Sequence, residues 1–498
     1  MVDNSQDFER AKALFFDGLE LLQKKCYKEA ERAFRASLAI IPDRESVLTN
    51  LVASLVKLEQ FDEAKEISYK LLARNPSNRE IALSLGNIEF KLANFQEALS
   101  YFNRCLEISL DNPEAWTCRG NTLSALGHLT DALSSVDKAI EINQDFSQAW
   151  SDRGNILCEM RRHEQAITSY NKSIDIDPND ADSRWNKALC ELSLGNFDSG
   201  WELYEWRWKT ESFSSTLRNF KEPKWLGRED ISGKTIFIYT EQGLGDTIQF
   251  CRYVEFLKEL GATVLLEVPR ALMNLLVELK GVDELISKGN PIPYFDFHCP
   301  LLSLPYALRN TVKAIPNKSP YLTIHNQLVQ KWKNYFGNEG FTIAICWQGN
   351  PKAKIDRGRS FTVDSFLPIA ELENVRLISL QKGFGAEQLE HSKLVNQVET
   401  LADDFDSDNR RFLDSAAVMK SVDLVITSDT ALTHVAGSLG IETWLPLRYV
   451  PDWRWLLNGN SSPWYPHHRL FRQPRAGDWE SVFKQMAKEI SGRIGRKR

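Results

Sequence analysis

An α-solenoid followed by an α/β region of two doubly wound halves is the architecture that this sequence predicts. Three observations carry it. Small residues recur every 34 positions through residue 214. From residue 215 onward, short apolar runs alternate with stretches of helical periodicity, the pattern of a parallel sheet with helices on its faces. In each half of that region an apolar run breaks into a short turn before a helical stretch, at Glu241–Asp246 and at Thr427–Thr430.

The repeats come first along the chain. Ala30, Ala64, Ala98, Ala132, Ala166 and Gly200 share one phase. Gly18, Val52, Gly86, Gly120, Gly154 and Ala188 share a second, and Phe34, Ser68, Phe102, Val136, Tyr170 and Tyr204 a third. Two helices of a hairpin approach closely only where one lacks bulk, and an aromatic fills the gap beside it. This pattern resembles the tetratricopeptide repeat. Six units are expected, at 11–44, 45–78, 79–112, 113–146, 147–180 and 181–214, so that residues 1–214 form one superhelix. The sixth departs from the pattern, with Gly200 for the alanine and the dense run Trp201–Trp208. Terminal repeats are atypical because one face meets something else, here the next domain. The concave groove of such an array suits an extended peptide. Asn87, Asn121 and Asn155 keep the 34-residue interval and Asn186 misses it by three. They form a carboxamide ladder for the backbone of a protein acceptor, or they cap and solvate helices; both readings stand.

A linker is expected at 215–233, with Phe220–Gly227 crossing the junction. The first α/β half, 234–337, has strands at Thr235–Thr240 and Thr263–Val268. Helices are expected at 247–260 and 269–280, and a short strand with a turn at Asp296–Ser303. The second half, 338–498, has strands at Thr342–Trp347, Val375–Leu380, Leu424–Ile426 and Thr443–Leu447. The long loop 348–360, Trp-rich loops at 452–455 and 462–466, and a closing helix from Trp479 complete it. Two such halves make a cleft lined by strand C-termini.

This arrangement, with Gly243-Leu-Gly-Asp246 in the first half and Asp429-Thr-x-x-x-His-x-Ala-Gly-x-x-Gly440 in the second, resembles the GT-B glycosyltransferases. The nearest likeness is to the heptosyltransferase-like family, over about residues 234–490. The order of domains is also similar to that of O-GlcNAc transferase and the bacterial flagellin glycosyltransferases. The resemblance implies two Rossmann-like halves and an inverting transfer of sugar from a nucleotide-sugar. It also implies a catalytic base at Asp246, and no metal or cofactor beyond that co-substrate.

The residues themselves support candidate roles. A carboxylate at Asp246 suits proton abstraction from an attacking acceptor, or it caps a helix starting at Thr247. Gly243 and Gly245 shape its turn. Thr430 and Ala431 offer backbone N–H groups at a helix start to a diphosphate, and the motif runs on through Gly437. His434 reaches a phosphate or is a packed histidine. Lys382 follows a strand end. Arg357 and Arg359 carry the guanidinium fork that suits phosphate, although a salt bridge accounts for Arg359 equally. Asp429 resembles the family's acidic residue near the donor sugar, or caps its helix. Asp403, Asp404, Asp406 and Asp408 read as a solvated run without metal-binding spacing.

Composition narrows the classes. A net charge of −6 gives no support for nucleic-acid binding. No apolar run reaches the roughly 20 residues of a membrane helix. The polar start lacks a signal peptide's apolar segment, and eight scattered cysteines fit a reduced, cytoplasmic setting without structural zinc. The expected function is a cytoplasmic, inverting, metal-independent glycosyltransferase acting on a protein docked by the repeats. The alternatives are the same chemistry on a lipid-linked or polysaccharide acceptor, and a non-catalytic scaffold.

Overall fold

The computed structural model describes residues 4–214, 216–309, 314–352, 356, 358–407 and 411–497. The chain divides into two compact units, Met1–Asn186 and Lys187–Arg498.

The first unit is a series of helical hairpins. They pair Asn4–Gln23 with Tyr27–Ile40, Glu45–Lys57 with Phe61–Arg74, Arg79–Lys91 with Phe95–Ile108, Pro113–Ala125 with Leu129–Ile142, and Ser147–Glu159 with His163–Ile176. The small and large phases meet as the spacing predicts. A β-carbon on Gly86 would lie 2.5 Å from the Phe102 ring, and one on Gly154 2.4 Å from the Tyr170 ring. One further phase is invisible to residue type. Lys25, Glu59, Ala93 and Arg161 occupy the turn between paired helices with φ near +60°, and Gly127 shares the position at φ 86°. The hairpin imposes this left-handed conformation although only one of the five is a residue that favours it.

The second unit starts at Lys187, inside the helix Ala181–Leu194, and not at the end of the sixth repeat. The reason lies in the next helix, Phe197–Tyr204. Its Trp201 packs edge-on against Phe250, Trp453 and Trp464, within the α/β core. The expected linker is also structural. Phe220 packs on Phe237, Tyr239 and Phe295, Trp225 is buried, and Trp225 N–H donates to the His298 carbonyl at 2.8 Å.

Two fully parallel sheets follow. Strands β1 (Thr235–Tyr239), β2 (Thr263–Val268), β3 (Glu284–Ser287) and β4 (Phe297–Pro300) make the first, ordered β3-β2-β1-β4. Strands β5 (Phe341–Cys346), β6 (Val375–Ser379), β7 (Val398–Glu399), β8 (Leu424–Thr427), β9 (Thr443–Leu447) and β10 (His468–Arg472) make the second, ordered β10-β9-β8-β5-β6-β7. The fold class expected from the sequence, a helical solenoid and then an α/β region, is therefore present. In each sheet the strand order reverses once, between β1 and β4 and between β5 and β8. Such topological switch points open the crevice in which doubly wound sheets bind ligands.

Three strands, β3, β7 and β10, were not expected. Each is a sheet edge; β3 and β7 are short, and in β10 the apolar pair Leu470-Phe471 is flanked by His468, Arg469 and Arg472, so no apolar run marks them. The helix after β1 starts earlier than expected, at Leu244, and gives way to a 3₁₀ turn at Cys251–Tyr253 before the helix Val254–Glu259. The run containing Asp406 is not simply solvated. Asp406 accepts from the N–H groups of Asp414 and Ser415 at 2.9 and 3.1 Å, while the Asp414 carboxylate accepts from the N–H of Asp406. Asp408 lies outside the described residues. No helix among the described residues is long and apolar enough to cross a membrane.

Candidate functional site

The site forms where the two switch points meet. In the second sheet β8 is wholly buried and its end is tied to β5, Ser428 N–H donating to the Cys346 carbonyl at 2.9 Å. Thr430 then takes an extended conformation, φ −132° and ψ −179°, and caps the helix Ala431–Ser438 with its backbone but not its side chain. The Ser428 and Thr430 hydroxyl oxygens are buried and have no hydrogen-bond partner. The Cys346 thiol beside them is a weak one at best. A helix start with unpartnered donors around it favours an anion.

In the first sheet the turn after β1 leads into the helix Leu244–Phe250. Asp246 is the third helical residue, not the cap of a helix starting at Thr247. One carboxylate oxygen accepts from the Gly243 N–H at 2.9 Å. The other is ion-paired with Arg454, a short contact. Gly243 leaves room for this bond, while Gly245 has a different duty. A β-carbon there would lie 2.8 Å from His434 Cδ2 and 3.5 Å from Ala431 Cα. The missing side chain lets the starts of the Leu244 and Ala431 helices abut, bringing Asp246 beside the Thr430 turn.

Arg454 was not anticipated. It lies in the 3₁₀ turn Trp453–Trp455 and is buried. Beyond Asp246 it donates to Asp452 Oδ1 at 2.9 Å and to Gln249 Oε1 at 2.8 Å, and its guanidinium stacks 4.3 Å from the Trp453 ring centre. It thus joins the first half to the second. The signal in the sequence was an arginine between two tryptophans, a pattern that suits a desolvated guanidinium but carries no statement of partner.

His434 is a packed residue. Its Nδ1 is 2.9 Å from the Tyr465 hydroxyl, and its ring stacks on Trp455 at 5.8 Å. Burial, with Arg454 nearby, holds it well below the usual histidine range, so it is a neutral imidazole and not a phosphate-binding cation. Gly437 also serves packing, since a β-carbon there would lie 2.3 Å from the Tyr465 ring. Asp429 is half-buried. Burial and the neighbouring Asp452 push its carboxyl up to about 6, against the pull of the Trp455 indole, Arg359 and Arg454.

Arg359 does reach the site. The β-carbon position of Gly349 is 2.7 Å from Arg359 Nη2 and 3.3 Å from Thr430 Cγ2, which puts both the guanidinium and the threonine methyl against Gly349. Arg359 also donates to Asp356 at 2.9 Å, so its ion pair and its place at the site coexist. Arg357 lies outside the described residues. Lys382 turns elsewhere, donating to the Phe405 carbonyl.

The asparagines of the repeats are half-buried and link consecutive units. Asn87 Oδ1 accepts from the Cys118 thiol at 3.5 Å, and Asn121 Nδ2 donates to Asp152 at 2.9 Å. Asn155 Oδ1 accepts from the Tyr170 hydroxyl at 2.8 Å and from Asn186 at 3.0 Å. Burial pushes Asp152 up to about 6 despite its bond from Asn121.

Residues 147–180 and 49–113 each match a tetratricopeptide-repeat family model, so the chain carries tetratricopeptide repeats. It is similar to Protein FlbA of Caulobacter vibrioides, 27% identical over 322 residues, 60% of this chain and 53% of that protein. The chain thus spans about half the length of this relative. Among solved structures it is similar to TTC0263, a thermophilic tetratricopeptide-repeat protein of Thermus thermophilus. The identity is 22% and the TM-score 0.34, over 36% of this chain and 99% of that one. It is also similar to PilF of Pseudomonas aeruginosa, at 16% identity and a TM-score of 0.35, over 41% of this chain and 93% of that one.

Proposed function

We propose that this chain is an inverting glycosyltransferase of the GT-B type that moves a sugar from a nucleotide-sugar to a protein acceptor docked by the repeats. One observation carries the reading. The start of the Ala431 helix, with the unpartnered Ser428 and Thr430 hydroxyls and Arg359 beside it, abuts the turn that presents Asp246. An anion site next to a carboxylate is what such a transfer needs. The acceptor oxygen attacks C1 of the sugar while the bond from C1 to the diphosphate oxygen breaks. The acceptor's proton passes to Asp246. The diphosphate leaves with the bonding pair, its growing charge met by backbone N–H groups at 430–431 and by Arg359. Each oxygen of Asp246 has one partner in the structure, the Gly243 N–H or Arg454, and keeps a further lone pair for the acceptor's proton. In the repeats, Asn87, Asn121 and Asn155 are the proposed contacts for the acceptor backbone, each keeping one edge for its neighbouring unit.

The engagement of both Asp246 oxygens also favours a second reading, a repeat scaffold whose α/β unit binds a nucleotide without chemistry. A thermal-shift panel of nucleoside diphosphates and their sugars tests the binding common to both, since a ligand of the folded state raises the melting temperature. Release of nucleoside diphosphate in the presence of acceptor then separates them. No shift with any member of the panel rejects the nucleotide site.

A further inference from the structure

The dense aromatic run at the end of the repeats, Trp201–Trp208, has no part in the chemistry above, yet two of its residues hold the catalytic turn. We propose that Tyr204 and Arg207 are positioning residues for Asp246, an inference that rests on the reading of Asp246 as the base.

Arg207 sits in the 3₁₀ turn Glu205–Lys209 and is fully buried. Its Nη2 donates to Glu241 Oε1 at 3.1 Å and to Ser303 Oγ at 2.8 Å. Its Nη1 donates to Glu205 Oε1 at 2.8 Å, and Ser303 Oγ donates to the same oxygen at 2.6 Å. The backbone N–H of Leu302 completes the set, donating to Glu241 Oε1 at 3.2 Å. Glu241 opens the turn after β1, and Leu302 and Ser303 follow β4. Arg207 therefore pins both sides of the first sheet's switch point with one planar group. Tyr204 holds the next residue, its hydroxyl accepting from Gln242 Nε2 at 2.9 Å.

The consequence for Asp246 is direct. Of the polar side chains in the turn, Glu241 and Gln242 are held from the repeat-end segment, and Asp246 is held by Arg454 from the second half. If the restraints from Arg207 and Tyr204 go, Glu241 keeps only the Leu302 N–H, and the turn's one remaining anchor from beyond the first half is the pair of Asp246 with Arg454. The energetics agree. A buried arginine between two carboxylates is a costly way to fill space, and apolar residues of like volume often serve stability as well or better. What the fork adds is geometry, because a guanidinium fixes the direction of each acceptor.

The test uses the full chain and Tyr204→Phe, which keeps the ring in its aromatic cluster and removes only the hydroxyl. Arg207→Lys is the companion variant, keeping charge without the fork. Two measurements are made, hydrogen–deuterium exchange over 241–247 against 431–439, and turnover with the nucleotide-sugar giving the largest melting shift. The expected result is faster exchange in 241–247 alone. The turnover number should drop about tenfold, the size of one lost hydrogen bond to a reacting geometry, with donor KM within about twofold of the parent. Exchange unchanged in 241–247 overturns the proposal, as does a loss confined to donor KM. If Asp246→Asn keeps parental turnover, the base reading fails. The exchange comparison then still decides whether Tyr204 and Arg207 hold the turn.

Discussion

The turns after β1 and β8 are built from similar parts and hold their polar groups differently, although each buries unpartnered oxygens, Thr240 Oγ1 and Glu241 Oε2 after β1 and Ser428 Oγ and Thr430 Oγ1 after β8. After β1, Glu241 takes Arg207, Gln242 gives to Tyr204, and Asp246 takes both Gly243 N–H and Arg454. After β8, the Ser428 and Thr430 hydroxyls have no partner. A group held from several directions is fixed where chemistry needs it. A buried donor without an acceptor costs about 1–3 kcal/mol, so it gains most from a ligand that supplies one. Under the proposed reading the difference is a division of labour, with the first turn presenting a group and the second receiving one.

The sharpest way to break this comparison is to remove the presented group. Asp246→Asn should lower turnover 10²- to 10⁴-fold, as loss of a general base does, with nucleotide affinity unchanged. Near-parental turnover would make Asp246 a capping residue only. The converse change, Thr430→Glu, sets a negative charge at the receiving turn. It should remove the nucleotide-induced melting shift while the ligand-free melting temperature stays within a few degrees of the parent. Equal shifts in parent and variant would put the anion site elsewhere.

Two glycines separate packing from presentation. Gly437→Ala drives a methyl into the Tyr465 ring and should cost about 1–3 kcal/mol in denaturant unfolding. Gly243→Ala meets only Asp246 Oδ2, at 3.1 Å, and should cost less. The reverse order would make Gly437 a ligand-approach position and not a packing one.

The smallest effect is a slope. Burial pushes Glu241 up to about 7 from its ordinary 4.5, against the pull of Arg207. A carboxyl raised in the folded state keeps its proton longer there than in the unfolded chain. The stability it contributes is full below the unfolded pKa and is lost as pH rises through the folded one. Glu241's own contribution should therefore decline between pH 4.5 and about 7, so the melting temperature of Glu241→Gln relative to the parent should rise across that range. A parent-to-variant difference that stays constant with pH, followed by scanning fluorimetry, would remove Glu241 as a source.

Much of this was legible in the residue order. The 34-residue phase located every hairpin, because close helix approach demands small residues at fixed spacing. The central strands β1, β2, β5, β6, β8 and β9 declared themselves as apolar runs, because strands covered on both faces have no polar side to show. Of the edge strands, β4 was expected at Asp296–Ser303, whereas β3 and β7 are too short to show a period and the apolar pair of β10 is flanked by His468, Arg469 and Arg472. Of the candidate residues, the Gly243–Asp246 and Thr430–Ala431 turns and Arg359 lie close together in the structure, where motif and strand end coincide. His434 and Gly437 pack against Tyr465 and Lys382 turns to the Phe405 carbonyl, positions that residue type does not reveal because the same types serve packing and binding alike.

What the sequence determined by itself is therefore local and periodic: the repeats, the buried strands, and the two turns that follow them. The tertiary structure decided the rest. It set the strand order that makes those turns into switch points. It placed the Arg454 bridge between halves 208 positions apart in the chain, and gave Tyr204 and Arg207 their hold on the turn after β1. Periodicity reports which face of an element is buried, and it is silent about which distant residue lies across from it. Partnership between groups far apart in the chain is settled only when the sheets and helices close on one another.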